Sequence, residues 1–184
     1  MKTLVILSPG FEETEAITVI DLMRRAKIEV VTASLTDDTS VLGSHGILVM
    51  ADQALSTVMA QSPVEGFDAI VLPGGMKGVR NMLAREDLVA LVRAFGAANK
   101  VTAAVCAAPL VLEQAGLLQN RRFTCHPCIF DEITAQNRCE SAAETDGNVV
   151  TGRSAGCAMA WSIALVARLI GDAQSIMGGL AIVP

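Results

Sequence analysis

The sequence predicts an α/β architecture: a mostly parallel sheet with helices on both faces. Three observations carry this prediction. Short Val/Ile/Leu-rich runs recur along the chain as "KTLVIL", "IEVVTASL", "GILVM", "DAIVLPGG", "VTAAV" and "NVVTG". Between them, "EETEAITVIDLMRRA" and "REDLVALVRAFGAAN" carry apolar residues at helical spacing. Val101 to Val105 is apolar enough to be a strand buried on both faces. Strands that alternate with helical segments indicate parallel pairing under two helical layers.

Taken in order, "MKTLVILSPG" has a basic residue and an apolar run, as a signal peptide does. It is too short, lacks an A-x-A-like site and turns at once into the acidic "EETE", so it is assigned as the first strand. "TDDTSVLGSHG" is rich in turn residues and predicts a small antiparallel excursion from the main sheet. After Val105, Ala107 to Ala115 predicts a helix with Pro109 in its first turn, where a missing N–H costs little. "AGCAMAWSIALVA", Ala155 to Ala167, contains Ser162 and stops at Arg168. It is too short to span a bilayer and predicts a buried helix. With no repeat, low-complexity tract or linker, residues 1–184 are expected to form one domain.

Composition narrows the setting. Hydrophobic residues make up 52% of the 184 and charged ones 18%, which suits a compact core. Aromatic residues are only 3% and the formal net charge is -5, which argues against stacking on single strands and against a duplex-binding face. No structural nucleic-acid partner and no membrane partner are expected. A cytoplasmic setting is expected, in which the five cysteines stay reduced and form no disulfide framework.

Sites in open sheets of this kind form outside the carboxyl ends of the strands. Three features fall there: "SPGFEETE" after the first strand, "LPGG" after the strand ending at Leu72, and "VCAAP" after Val105. Singly, each has a structural explanation. Paired glycines permit tight turns, acids favour helix N-termini, and a buried Cys is commonly inert. Their convergence on one sheet edge points to a site. Cys106, placed between strand and helix, is expected to have a lowered pKa from free helix N–H groups and the helix dipole.

Four stretches, "LVILSPGFEETEAITVIDLMRRAKIEV", "FDAIVLPGGMKG", "VTAAVCAAPLVL" and the "HP" of His126 and Pro127, carry a resemblance. They run in order over most of the chain. The sequence resembles the ThiJ/PfpI superfamily, in particular the branch containing the parkinsonism-associated protein deglycase and bacterial ThiJ-like proteins. The resemblance implies a flavodoxin-like three-layer sandwich, a homodimer and a nucleophile elbow with a reactive cysteine. By position it implies that Cys106 is that cysteine, Glu15 the buried acid beside it, and His126 the nearby histidine. It likewise implies that Gly74 and Gly75 are backbone donors facing the thiol.

Physical chemistry adds a reading of the pair. A carboxylate and a thiolate in contact repel, so Glu15 and Cys106 are expected to share one proton and titrate as a unit. With the thiolate favoured, a neutral Glu15 could donate to sulfur and later pass the proton on. Glu12 and Glu13 are expected to be plain first-turn acids.

The departures matter as well. Ala107 stands where the peptidase-like branch has a His, which argues against proteolysis. Only His45 and His126 are present, so His126 is assigned as an auxiliary proton carrier. The family's Arg-Gly-Pro-Gly loop is "GRSAGCA" here, with Arg153 kept and Ala155 in place of Pro. "CHPC" could be a thioredoxin-like motif, or part of a zinc site with Cys139 and Cys157. The third reading makes Cys125 or Cys128 a candidate redox partner that traps an oxidised Cys106.

The resulting expectation is a cofactor-free, metal-free and glutathione-independent chemistry on reactive dicarbonyls such as methylglyoxal. Gly75 and Ala107 N–H groups would lie near the oxyanion. The resemblance implies glyoxalase and deglycase activities. The alternative is an oxidative-stress sensor or redox-regulated chaperone that uses the same cysteine.

Overall fold

A computed structural model describes residues 1–180 of the chain. Its main sheet has seven strands in the order β5-β2-β1-β6-β7-β9-β8. These are β1 (Lys2–Leu7), β2 (Glu29–Ser34), β5 (Gln53–Ala54), β6 (Ala69–Leu72), β7 (Val101–Val105), β8 (Ala143–Asp146) and β9 (Val149–Gly152). All neighbours pair in parallel except β8 with β9. The β3 (Ser40–Leu42) and β4 (Leu48–Met50) strands form a separate antiparallel hairpin. Thus the predicted excursion is present, and "GILVM" belongs to it and not to the main sheet.

Period-two geometry sorts the strand residues between two cores. Leu4, Ile6, Ile70, Leu72 and Ala104 face one layer. That layer holds α2 (Leu55–Met59), α3 (Pro63–Gly66), α4 (Met76–Leu83), α5 (Glu86–Ala97) and α6 (Pro109–Gln114). Val5, Leu7, Val71, Ala103 and Val105 face the other, which holds α1 (Glu13–Arg25) and α7 (Ala158–Ile170). A short α8 (Gln174–Gly179) follows. Continuous apolar strands are what two-sided burial requires, so the sandwich follows from the sequence pattern.

Two helices differ from expectation. α6 begins at Pro109 and not at Ala107, because residues 106–108 are spent on a turn closed by Ala108 N–H to the Val105 carbonyl at 2.9 Å. α7 begins at Ala158, after a 3-10 turn over Ala155–Cys157. It is buried on one side only: Trp161 and Leu165 are enclosed, whereas Met159 and Ile170 are exposed. No helix among the described residues is long and apolar enough to cross a membrane.

Candidate active site

β1, β6 and β7 are adjacent, and the turns at their carboxyl ends bring three distant segments together. This is the switch point of a doubly wound sheet, where crossovers diverge to opposite faces and leave a crevice.

Cys106 lies directly after β7 with φ of +62°, in the left-handed region that L-residues avoid. Such strain persists only where neighbours over-determine it. Here they do. The Cys106 N–H extends the β7–β9 ladder to the Gly152 carbonyl at 3.0 Å, and the Cys106 carbonyl accepts the His126 N–H at 2.8 Å. Gly152 is itself held by Trp161, against whose ring any Cβ would collide. The elbow therefore projects a half-buried thiol from a rigid edge.

Glu15 enters from the first turn of α1 and is fully buried. Its Oε2 accepts the Gly74 N–H at 2.8 Å. Its Oε1 is buried without a hydrogen-bond partner, and the carboxyl meets the Cys106 thiol. Burial pushes the carboxyl up to about 7; the Gly74 N–H opposes this and the charge of Glu12 adds to it. Glu15 therefore still holds a proton close to neutrality, well above the ordinary carboxylate range. The Cys106 thiol is pushed up to about 12, by burial first and then by the Glu15 carboxylate, while the Gly75 and Ala107 N–H groups act in the opposite sense. This corrects the expected lowering. Helix-terminal N–H groups do face the sulfur, but desolvation and a contacting acid outweigh them. Transfer of the shared proton to Glu15 removes the repulsion, so the pair titrates jointly.

Gly74 and Gly75 divide the work expected of both. Gly75 directs its N–H at the thiol, while Gly74 directs its own at Glu15. A Cβ at Gly74 would lie 2.5 Å from Glu15 Oε2 and 2.7 Å from Cys106 Cβ, so only glycine fits between acid and thiol. Glu12 closes the arrangement. Its N–H donates to the Gly74 carbonyl at 3.0 Å, and its Oε2 accepts the Glu15 N–H at 2.7 Å as the cap of α1.

His126 meets Cys106 through its backbone N–H. Its Nδ1 accepts the Cys128 N–H at 3.1 Å and caps a 3-10 turn over Pro127–Glu132, which leaves Nε2 for any proton traffic. Cys125 is fully buried in the core layer of α4 to α6, whereas Cys106 packs toward the opposite layer. Cys128 is exposed, and all five cysteines are free thiols. Arg153 pairs with Glu140.

Sequence reasoning missed Glu13. Far from being a plain first-turn acid, it is only 4% exposed. It accepts the His45 N–H at 2.6 Å, His45 Nδ1 at 2.9 Å and the Ser44 hydroxyl at 3.1 Å, pinning the β3–β4 hairpin to α1. Burial pushes this carboxyl up, but the hydrogen bonds from His45 and Ser44 together hold it down at about 2. A cavity of about 500 Å³ opens beside the hairpin, lined by Pro9, Gly10, Leu42, Gly43, Ser44, Gly46 and Lys77. Cys106 is not part of its lining. Glu12, Glu13 and His45 bring three possible ligand atoms within 4.8 Å of one another. Both carboxylates there are already held by backbone N–H groups.

The chain is similar to known proteins over most of its length. DJ-1 homolog A of Arabidopsis thaliana is 37% identical over 181 residues, covering 98% of this chain and 45% of that protein. The chain thus spans under half the length of that relative. A protein named as a deglycase in Pyrococcus abyssi is 32% identical over 163 residues, covering 88% of this chain and 95% of that one. The structure of oxidised Toxoplasma gondii DJ-1 superposes with a TM-score of 0.91 at 34% identity, covering 98% of this chain and 97% of that one. The DJ-1/PfpI signature matches residues 1–168, and with it the chain belongs to the DJ-1/PfpI (ThiJ) family.

Proposed function

We propose that the chain is an enzyme that converts small reactive dicarbonyls to hydroxy acids without glutathione, nucleotide or metal. The observation that carries this reading is the buried Glu15 carboxyl against a thiol that faces the Gly75 and Ala107 N–H groups. A proton moves from Cys106 to Glu15, and the thiolate adds to the aldehyde carbon of methylglyoxal. The C–S bond forms as the carbonyl π pair moves to oxygen, beside the N–H donors, and Glu15 returns its proton to that oxygen. Glu15 then takes the proton from the former aldehyde carbon, giving an enediolate whose charge lies on the former ketone oxygen. Return of that proton to the neighbouring carbon, with the hydroxyl proton passing to the adjacent oxygen, leaves a thioester of lactate. Water cleaves the thioester and restores the thiol, so one carbon is oxidised and its neighbour reduced with no external oxidant.

The deglycase name of the Pyrococcus relative fits this substrate class, since removal of free dicarbonyl also lowers its adducts. Exposed Ile17 on α1 and Leu48 and Met50 on the hairpin support a homodimer across that face. The direct test follows lactate formation from methylglyoxal by NMR, without glutathione, in wild type and Cys106→Ala. Turnover that depends on Cys106 is expected; equal turnover in the variant, or none in wild type, overturns the reading. A second reading, redox sensing, rests on the same N–H groups, which would also hold the oxygens of an oxidised sulfur.

A further inference from the structure

The acid–thiol pair is linked to the hairpin by a chain of charged groups. Glu12 spends Oε2 on the Glu15 N–H and turns Oε1 toward His45 Nδ1 at 4.0 Å. His45 is itself held on Glu13 by two contacts from one residue, backbone N–H and ring Nδ1. Gly43 makes this possible, because a side chain there would occupy the Glu13 carboxylate. The imidazole is thus fixed in place while its side chain remains 70% exposed, free to exchange protons with solvent.

On the reading of the site given above, we propose that His45 is a positioning residue that tunes the proton shared by Glu15 and Cys106, acting through Glu12. An imidazolium beside Glu12 offsets its carboxylate. A neutral imidazole leaves that carboxylate uncompensated, and negative charge near the pair opposes its ionisation. The directions agree: Glu13 raises the His45 pKa, chiefly through the side-chain hydrogen bond, and Glu12 raises that of Glu15.

Around His45, the charged groups are Glu12 and Glu13 of α1, with Lys77 of α4 across the cavity that Ser44 and Gly46 line. Around Glu15 they are Glu12 on its own helix and Cys106 at the elbow, with the Gly74 N–H from the β6–α4 turn. Of these, His45 is the imidazole, whose charge changes with pH without touching the thiol, and the Glu13 hydrogen bond raises its pKa. Loss of its proton as pH rises makes the pair hold its own proton more tightly, so thiolate formation is spread over a wider pH range.

The test is the rate of Cys106 alkylation by iodoacetamide against pH, from about 5 to 9, read by mass spectrometry in wild type, His45→Gln and His45→Arg. Alkylation reads the thiolate directly and needs no turnover. The His45→Gln curve is expected to move to higher pH by roughly half a unit. His45→Arg, with a permanent charge, should keep the wild-type lower limb and titrate more steeply above it. Coincident curves for all three proteins, or a shift of His45→Gln to lower pH, would overturn the proposal. Methylglyoxal turnover measured in parallel separates the two ideas: shifted curves without turnover count against the dicarbonyl reading alone.

Discussion

Gly74 donates its backbone N–H to Glu15 Oε2 at 2.8 Å across 59 residues of chain, and the absence of a side chain there is what lets acid and thiol meet. Gly74→Ala places a methyl group 2.5 Å from that oxygen and 2.9 Å from the Val105 carbonyl. The variant is expected to lose at least tenfold in turnover and about 1–3 kcal/mol in stability, the usual cost of overpacking. Lactate NMR and urea denaturation measure the two, and a fully active Gly74→Ala would show that the contact is dispensable.

Glu15→Gln should separate stability from activity. With its folded pKa raised to about 7, Glu15 keeps a proton that the unfolded chain releases above its ordinary 4.5. The folded state thus binds more protons, and its stability declines as pH rises from about 4.5 to about 7. A neutral glutamine avoids this decline. Glu15→Gln is expected to be roughly 1–3 kcal/mol more stable than wild type at pH 8 and level with it at pH 4, while turnover falls about a hundredfold or more. Denaturation curves at the two pH values decide the matter. A variant weaker than wild type at pH 8 contradicts the assignment.

Mild hydrogen peroxide should oxidise Cys106 through the form of the pair in which the proton has passed to Glu15 and the sulfur is a thiolate. Each peroxide delivers one oxygen to sulfur and leaves as water, and the Gly75 and Ala107 N–H groups stabilise the anionic product. Cys125 is buried in the opposite layer, so a sulfinic acid at Cys106 is expected, with Cys125 and Cys128 still reduced. Peptide mass spectrometry distinguishes this from a Cys106-linked pair, which would show that the 125–128 segment can swing to the elbow.

Leu48, 59% exposed on the hairpin, tests the apolar face. Wild type is expected to be a dimer by light scattering and Leu48→Asp a monomer at the same concentration. A monomeric wild type would remove the dimer from the proposal.

The elbow was legible because Val101 to Val105 is apolar but for Thr102 and Pro109 marks a helix start. Glu15 was singled out within "EETE" by the family resemblance, because position alone does not separate it from Glu12 and Glu13. Other features leave no local trace. β8 is an edge strand, "AETD", with no residue fully buried, so it has no pattern to detect. Glu13 meets His45 across 32 residues, and nothing near "SHG" announces an acid. The direction of the Cys106 shift depends on a competition between burial and N–H donors. Spacing along the chain reveals the donors but not the desolvation.

The backbone of Cys106 is a continuation of the sheet, locked by Gly152 on one side and His126 on the other. Amide hydrogens in such ladders exchange with solvent only when a whole cooperative unit opens, so the Cys106 amide should rank among the slowest in the chain although its sulfur reaches solvent. The reactive atom then inherits the rigidity of the core.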